Sequence, residues 1–465
     1  MKPNHLPPDS NRASLRLAGI LLLGCALLAL LIILRPRAKS PSETQPGARS
    51  ATAPMTVTHS GRGLDSRTAR PDSAARPERS AEEIVAEKVG QFARQREELV
   101  AAMAKHFNVA VPSEVNRFFA AAQAGNWSQT SNLFVALKQL RGTENWPPGL
   151  EKLWPAILET YGAAEQVQLW PAQQLLNYGN AVLDSLHPGM IYVGGNDAGR
   201  FIPTLLTDTS GGEPHIVLTQ NALADATYLD YVRFRYGDKL NALSADDSQN
   251  SFQTYLADAQ KRMQHDLDFP NEPKQLRPGE DVRLTEGRVQ VSGQVAVMAI
   301  NEQLLQTLLQ KNPDATFALT ESFPLKLFYG EATTLGPVTE LRAGNSADAL
   351  TPERAAQSLD YWRSTTQTLL AETEAASAPR DAYAKLILGQ ANLFEDRKLS
   401  AAVEQAYQLA TSLSPGNPEG VLSYVKLLTD QKRYDEARQL VQTAIAVAPD
   451  NQTFHTVLTD LNKLK

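Results

Sequence analysis

The densest run of chemically useful residues is Gly194-Gly195-Asn196-Asp197-Ala198-Gly199-Arg200. Glycines let backbone come close to a ligand. A carboxylate such as Asp197 can hold a metal or a hydroxyl, and a guanidinium such as Arg200 can pair with an anion. The run follows the apolar stretch Met190-Ile191-Tyr192-Val193, which predicts a strand, and precedes a predicted short helix over Phe201 to Leu206. A second predicted strand, His215 to Thr219, ends in Gln220-Asn221, with Asp225 one helical turn further on. Ligands of open α/β sheets sit beyond the carboxyl ends of the strands. Gly195, Asn196, Asp197, Arg200, Gln220, Asn221 and Asp225 therefore form the candidate ligand-binding set. The same residues also fit a plain strand-to-helix turn, with Asp197 capping the helix and Gly199 relieving strain.

No reaction emerges from these residues. The glycine spacing is not GxGxxG, and the Lys-Ser/Thr pair of a phosphate loop is missing. There is no GxSxG, and the single cysteine, Cys25, lies in an apolar run, so a nucleophile has no obvious centre. The seven histidines (His5, His59, His106, His187, His215, His265, His455) form neither HExxH nor any two-histidine spacing with a nearby acid. Asp246-Asp247 and Glu280-Asp281 have the character of solvated acids in polar loops. The expectation is no catalytic residue, no metal and no cofactor. The balance of 45 basic and 51 acidic residues, a net charge of −6, argues against nucleic acid as a partner. One cysteine in 465 residues excludes a disulfide framework.

The elements that must position the candidate set begin at Pro188. Val295-Ala296-Val297, Thr316 to Leu319 and Val338 to Leu341 are further predicted strands. Helical patterns lie between them, over Ala222 to Tyr236, Ser248 to Asp266 and Asn301 to Lys311. Such alternation predicts an α/β module over residues 188–345 with a small, mainly parallel sheet.

Residues 81–187 are expected to be helical hairpins. Ser80-Ala81-Glu82-Glu83 fits a capping box, and Val85, Val89, Phe92, Val100, Met103 and Phe107 follow at mostly helical steps. Ser113 to Ala124 and Ser128 to Arg141 predict a helix pair around the Gly125-Asn126 turn, followed by helical stretches at Leu150 to Leu158 and Gln173 to Leu186. Trp127, Trp146, Trp154 and Trp170 suit either a binding groove or wedges between helices.

Upstream lies a different kind of sequence. After a polar tail (residues 1–16), Leu17 to Leu34 is uncharged and flanked by Arg16 and by Arg35, Arg37 and Lys39. A helix of that length spans roughly 27 Å, close to a bilayer's hydrocarbon thickness, so residues 17–34 predict a single transmembrane helix. A cleaved signal peptide fits less well, because the run is long and ends without a small-x-small site. Leu22-Leu23-Gly24-Cys25 looks like a bacterial lipobox, but the apolar run continues past it. The flanking charges tie, so they do not orient the span. Residues 35–80, rich in Pro, Ser, Thr, Ala and Arg, predict a disordered linker.

The C-terminal part, residues 350–465, repeats. Pro415 and Pro449 are 34 residues apart, and the same shift brings Ala410 onto Ala444, Val403 onto Ala437 and Leu393 onto Leu427. Ala410, Pro415, Ala437, Ala444 and Pro449 stand at packing positions, small residues for close helix approach and prolines to close second helices. Ala384 to Asn417 and Pro418 to Asn451 resemble two tetratricopeptide repeats, with Lys432 to Asn451 the clearest piece. Val403 and Ser400 depart from the pattern in the first repeat. Thr351 to Ala375 and Asn451 to Lys465 are the expected flanking helices. The resemblance implies contact with a protein partner through a concave helical surface; structural buttressing is the alternative.

A second resemblance covers scattered pieces of Pro188 to Leu341, carried by the Gly-Asn-Asp loop after the first strand and by Tyr228-Leu229-Asp230-Tyr231. It is similar to the soluble tail of bacterial multispanning O-mannosyltransferase-like membrane proteins. The chain has one predicted span and lacks the multispanning region that holds that chemistry. The resemblance implies a related soluble module outside the cytoplasm, in the periplasm, without transferase activity. The chain as a whole is expected to be mainly α with a central α/β module. Its expected role is a single-pass, membrane-anchored scaffold or adaptor working through its repeats. The alternative is an enzyme or carbohydrate-binding subunit using Gly195 to Arg200.

Overall fold

The computed structural model describes residues 79–464, except 142, 144, 145, 148, 286, 287, 342–349 and 373–376. The predicted tail, transmembrane helix and nearly all of the linker therefore lie outside the described residues. Among the described residues no helix is long and apolar enough to cross a membrane.

The capping box at Ser80 forms as its sequence dictates. Ser80 Oγ accepts from the Glu83 amide at 3.2 Å, and Glu83 accepts from the Ser80 amide at 3.1 Å. It opens α1 (Ala81–Phe107), which buries Val85, Val89, Phe92, Val100 and Met103. The predicted helix pair appears as α2 (Ser113–Gln123) and α3 (Trp127–Leu140), joined through Gly125 at φ +67° and capped by Asn126. The predicted stretch from Leu150 starts as a 3-10 turn (Leu150–Leu153) and continues far beyond Leu158 as α4 (Trp154–Leu169). α5 (Ala172–Leu183) follows. The tryptophans act as wedges. Trp154 stacks on Phe134 at 5.4 Å, Trp146 meets Trp154 edge-on, and Trp127 packs on Tyr161.

Beyond Pro188 the chain builds β1 (Ile191–Gly194), α6 (Asp197–Asp208), β2 (Val217–Thr219) and α7 (Ala226–Tyr236). Then come α8 (Ala245–Asp268), the hairpin β3 (Asp281–Thr285) and β4 (Arg288–Ser292), α9 (Gln294–Lys311) and β5 (Phe317–Leu319). β6 (Ala332–Leu335) and β7 (Val338–Leu341) close the module. The main sheet has five strands in the order β2-β1-β5-β7-β6. β2, β1 and β5 run parallel, but β7 is antiparallel to β5 and β6 to β7. The sheet is mixed, not mainly parallel as expected. The reason is local: Gly336, at φ +55°, turns β6 directly into β7, and a tight hairpin forces antiparallel pairing.

Three further differences have physical causes. Val295-Ala296-Val297 begins α9 instead of forming a strand, because Ala296, Ile300, Leu304, Leu305 and Leu308 continue it with helical spacing into the core. β3 (Asp-Val-Arg-Leu-Thr) and β4 (Arg-Val-Gln-Val-Ser) alternate polar and apolar residues, a hairpin signal that sequence reading passed over, whereas β6 (Ala-Thr-Thr-Leu) is short and carries no such alternation. The two acid pairs are not simply solvated. Asp247 closes a capping box with Ser244 and pairs with Lys311 at 2.6 Å. The Glu280 side chain is buried against Arg262 and Tyr255; burial alone would raise its pKa, but these hydrogen bonds override that and hold it down at about 2.

α6 lies against β1 and β2, and α1, α4 and α5 pack on it in turn. Glycines permit the close approach: a Cβ at Gly162 would sit 2.3 Å from the Phe201 ring, and one at Gly179 would sit 2.3 Å from Leu206. A buried ion network ties four helices together. Arg96 of α1 bonds to Glu159 of α4 at 2.8 Å and to Asp208 of α6, while Arg235 of α7 reaches Asp208 at 2.5 Å. Tyr231 donates to Glu159 at 2.6 Å.

The remaining helices are α10 (Pro352–Ala371), capped by Thr351 with Pro352 in its first turn, α11 (Ser377–Asp396), α12 (Ser400–Leu413), α13 (Pro418–Asp430), α14 (Tyr434–Val447) and α15 (Gln452–Leu461). α11–α12 and α13–α14 are the two predicted hairpin repeats, and α15 covers the open side of α14. α10 and α11 cover β6 and β7, so the repeats grow directly out of the sheet.

Candidate functional site

The carboxyl ends of β1, β2 and β5 bring most of the predicted set together. β1 is flanked by the parallel strands β2 and β5: the chain passes from β1 to β2 on one side and comes back to β5 on the other, which is where open α/β sheets usually form a binding crevice. Here that crevice is filled by backbone. A Cβ at Gly195 would lie 2.2 Å from the Thr320 carbonyl oxygen and 2.3 Å from the Ser322 amide. Gly195 thus serves close approach, but to the segment after β5. Polar bonds seal the seam. The Gly195 amide donates to Thr320 Oγ1 at 3.2 Å, Tyr192 Oη lies 2.8 Å from the same oxygen, and Tyr192 donates to the Gly199 carbonyl at 2.6 Å.

The side chains around this seam are largely engaged. Asn196, not Asp197, caps α6: its Oδ1 accepts from the Gly199 amide at 2.6 Å. Asp197 stands in the first helical turn, well exposed, and accepts from Arg200 at 2.8 Å. The Arg200 guanidinium also lies 4.1 Å from the Phe201 ring centroid. Its charge is therefore already balanced within one turn of helix. Gln220 Oε1 accepts from the Ser322 amide at 2.9 Å, and Asn221 donates to Ser322 Oγ at 3.0 Å. Asp225 caps α7 through the Thr227 amide at 2.8 Å. Two polar atoms beside the seam, Arg200 Nε and Gln220 Nε2, are buried without a hydrogen-bond partner. Glu165 of α4 faces the same corner; burial raises its pKa, and Tyr161 donates to it at 2.9 Å. Among the described residues no cluster of three His, Cys, Asp or Glu can hold a metal.

The predicted repeat-packing residues occupy helix interfaces. Ala410, Ala437 and Ala444 are buried, and Pro415 and Pro449 follow the ends of α12 and α14. Val403, larger than its counterpart Ala437, is accommodated and buried. A pair that sequence reading passed over marks the period: Lys385 of α11 and Glu419 of α13, one repeat apart, bond at 2.6 Å. Their shared 34-residue offset is the signal that could have found them.

The most consequential residue missed is Glu321. It follows β5 and lies buried against α11, where Asn392 donates to its Oε2 at 3.2 Å. Tyr329 and the Leu325 amide donate to its Oε1 at 2.8 Å and 3.3 Å. Burial pushes its pKa up to about 7 despite these donors. The face of α11 that bears Gly389 and Asn392 is thereby covered by the chain's own sheet module, since a Cβ at Gly389 would touch Glu321. Gln390, on the neighbouring face, accepts from Trp362 at 2.8 Å and donates to the Gly336 carbonyl at 2.8 Å. On α13 and α15 the corresponding positions Lys426 and Asp460 remain exposed.

The family model for the tetratricopeptide repeat matches residues 393–461. No curated protein and no solved structure matches the chain significantly. The match runs from within α11 to the last residue of α15, so the C-terminal helical array carries tetratricopeptide repeats, a module that generally binds protein partners.

Proposed function

We propose that the protein is a scaffold or adaptor that grips a protein partner with its C-terminal repeats while residues 17–34 anchor it in a membrane. The observation that supports the grip is the repeat array itself, whose α13 and α15 keep exposed side chains at repeat-equivalent positions while α11 is consumed by the sheet module. The docking surface in this reading is α13 to α15, centred on Lys426 and Asp460 together with Thr456, which is also exposed and stands one turn before Asp460 on α15. The uncharged run Leu17 to Leu34 supports the anchor. The resemblance of Pro188 to Leu341 to soluble tails of bacterial O-mannosyltransferase-like membrane proteins supports a periplasmic position for the body.

Crosslinked pull-down of the full chain from membranes tests the grip. Replacing Lys426, Thr456 and Asp460 together by Ala should remove specific partners, and an unchanged partner set sinks the reading. Truncation after Ala349 is the poorer test, because it bares the sheet surface that α11 buries. Recovery of the full chain in the soluble fraction removes the anchor from the proposal.

A second reading rests on the unpartnered Arg200 Nε and Gln220 Nε2: a polar ligand held at Gly195 to Arg200, as in an enzyme or carbohydrate-binding subunit. Asp197→Ala with Arg200→Ala should then abolish ligand-induced stabilisation while leaving the repeats' partners in place.

A further inference from the structure

A cleft of about 180 Å³ with a mixed polar and apolar lining opens where α5, α10 and α11 meet, away from both the sheet seam and the exposed repeat surface. α10 lines it with Ser364, Thr365, Thr368 and Leu369 and, just past its end, Glu372, while α5 adds Gln174 and Asn177 and α11 adds Tyr383. The α10 residues recur at one-, three- and four-residue steps and so stand along one side of the helix. Serine and threonine are mediocre helix formers, so helix stability does not account for this stripe.

The chemistry of the lining is specific. Hydroxyls and primary amides both donate and accept hydrogen bonds. The charged group among the lining residues is Glu372, which accepts from Gln174 Nε2. A carboxylate with no lining cation repels anions, and the hydroxyls and amides share the wall with Leu369 and the Tyr383 ring, apolar surfaces that can lie against the C–H face of a ring. The lining residue Gln174 has its Oε1 buried without a partner, and Tyr178, which does not itself line the cleft, has its Oη buried without one. Tyr178 meets the lining residue Tyr383 edge-on at 5.2 Å. The volume equals about six waters at roughly 30 Å³ each. It is smaller than the usual drug-sized pocket of about 300 Å³ or more.

We propose that this cleft binds a single neutral sugar ring. Its hydroxyls and amides can bond to a ring's hydroxyls, Leu369 and Tyr383 can face its C–H surface, and its volume is of the order of one ring. A free monosaccharide and the terminal residue of a glycan share this chemistry. The site lies apart from the repeat surface and does not depend on the scaffold reading.

Saturation-transfer NMR on the full-length chain, held in a sugar-free detergent, tests it with methyl β-D-glucopyranoside, N-acetyl-D-glucosamine, the disaccharide of the latter and glucuronate. At least one neutral sugar should receive saturation, with a Kd of about 1 mM or weaker. Stronger transfer to the disaccharide's terminal ring than to the monosaccharide identifies a glycan end; the reverse identifies a free sugar. Glucuronate should bind severalfold more weakly than its neutral counterpart. Thr365→Val with Thr368→Val should weaken binding roughly tenfold at unchanged helicity. Asn177→Ala, at an exposed position, should weaken it severalfold and guards against a folding defect in the double variant. No transfer to any neutral sugar at tens of millimolar, equal binding of glucuronate, or unchanged binding in both variants overturns the proposal.

Discussion

Two buried charged clusters in this protein are built on opposite principles. In the Arg96–Glu159–Asp208–Arg235 network, two cations face two anions, and every charge has a partner within hydrogen-bond reach. Burial alone would raise the Asp208 pKa, but Arg96 and Arg235 override it and hold the carboxyl below its usual range. At Glu321 a single carboxyl is buried among neutral donors, and burial wins. The first cluster is a clamp between four helices that needs its charges. The second is a junction between the sheet and α11 that is most comfortable without one. Their responses to pH therefore have opposite signs.

The sharpest way to break the comparison is Arg96→Met. It leaves Asp208 and Glu159 short of a partner in a buried site, and chemical denaturation should show a loss of about 3–5 kcal/mol. A loss below about 1 kcal/mol would mean that the network is already hydrated. Glu321→Gln comes next. Wild-type stability attributable to Glu321 is full below the unfolded carboxyl value and declines as pH rises toward about 7. The sign follows from the folded state holding its proton longer than the unfolded chain. The variant should flatten that decline and be more stable at pH 8 by on the order of 2–3 kcal/mol, as read by denaturation at several pH values. Lowering the pH further reverses the picture. Asp208 protonates, and the stability from its ion pairs is lost as pH falls through its depressed folded value, a loss that Arg96→Met should mute. Gly195→Ala probes the neutral seam between these clusters and should cost about 1–3 kcal/mol in a thermal melt, since Thr320 and Ser322 have to retreat. The smallest effect belongs to Lys385→Ala. That ion pair with Glu419 is partly exposed, and its removal should cost ~0.5 kcal/mol or less and shrink further in high salt.

Much of the helical framework was legible because its signals are local. The Ser80 capping box, the Gly125-Asn126 turn and the 34-residue offset between Pro415 and Pro449 each declare themselves within a few dozen residues. The family match over residues 393–461 rests on that same periodicity. The sheet was harder. Val295 and Val297 are β-branched and apolar, and only the burial of Ala296 and the residues that follow it on α9 decides for helix. The candidate loop was located correctly at the end of β1, but its glycines answer to Thr320 and Ser322, some 125 residues away. No spacing rule in the sequence announces that contact. Glu321 was missed for the same reason: what makes it unusual is its burial against α11, a different element altogether.

α11 belongs to two structures at once. It is the opening helix of the repeat array, and it is also fastened to the sheet by Gln390 on the Gly336 and Val338 carbonyls and by Arg397 on the Gly330 carbonyl. Among the described residues, these bonds join the first helix of the array directly to the strands. A tug applied to the tail travels straight into the strands, so whatever seizes the far coils also pulls on the body's centre.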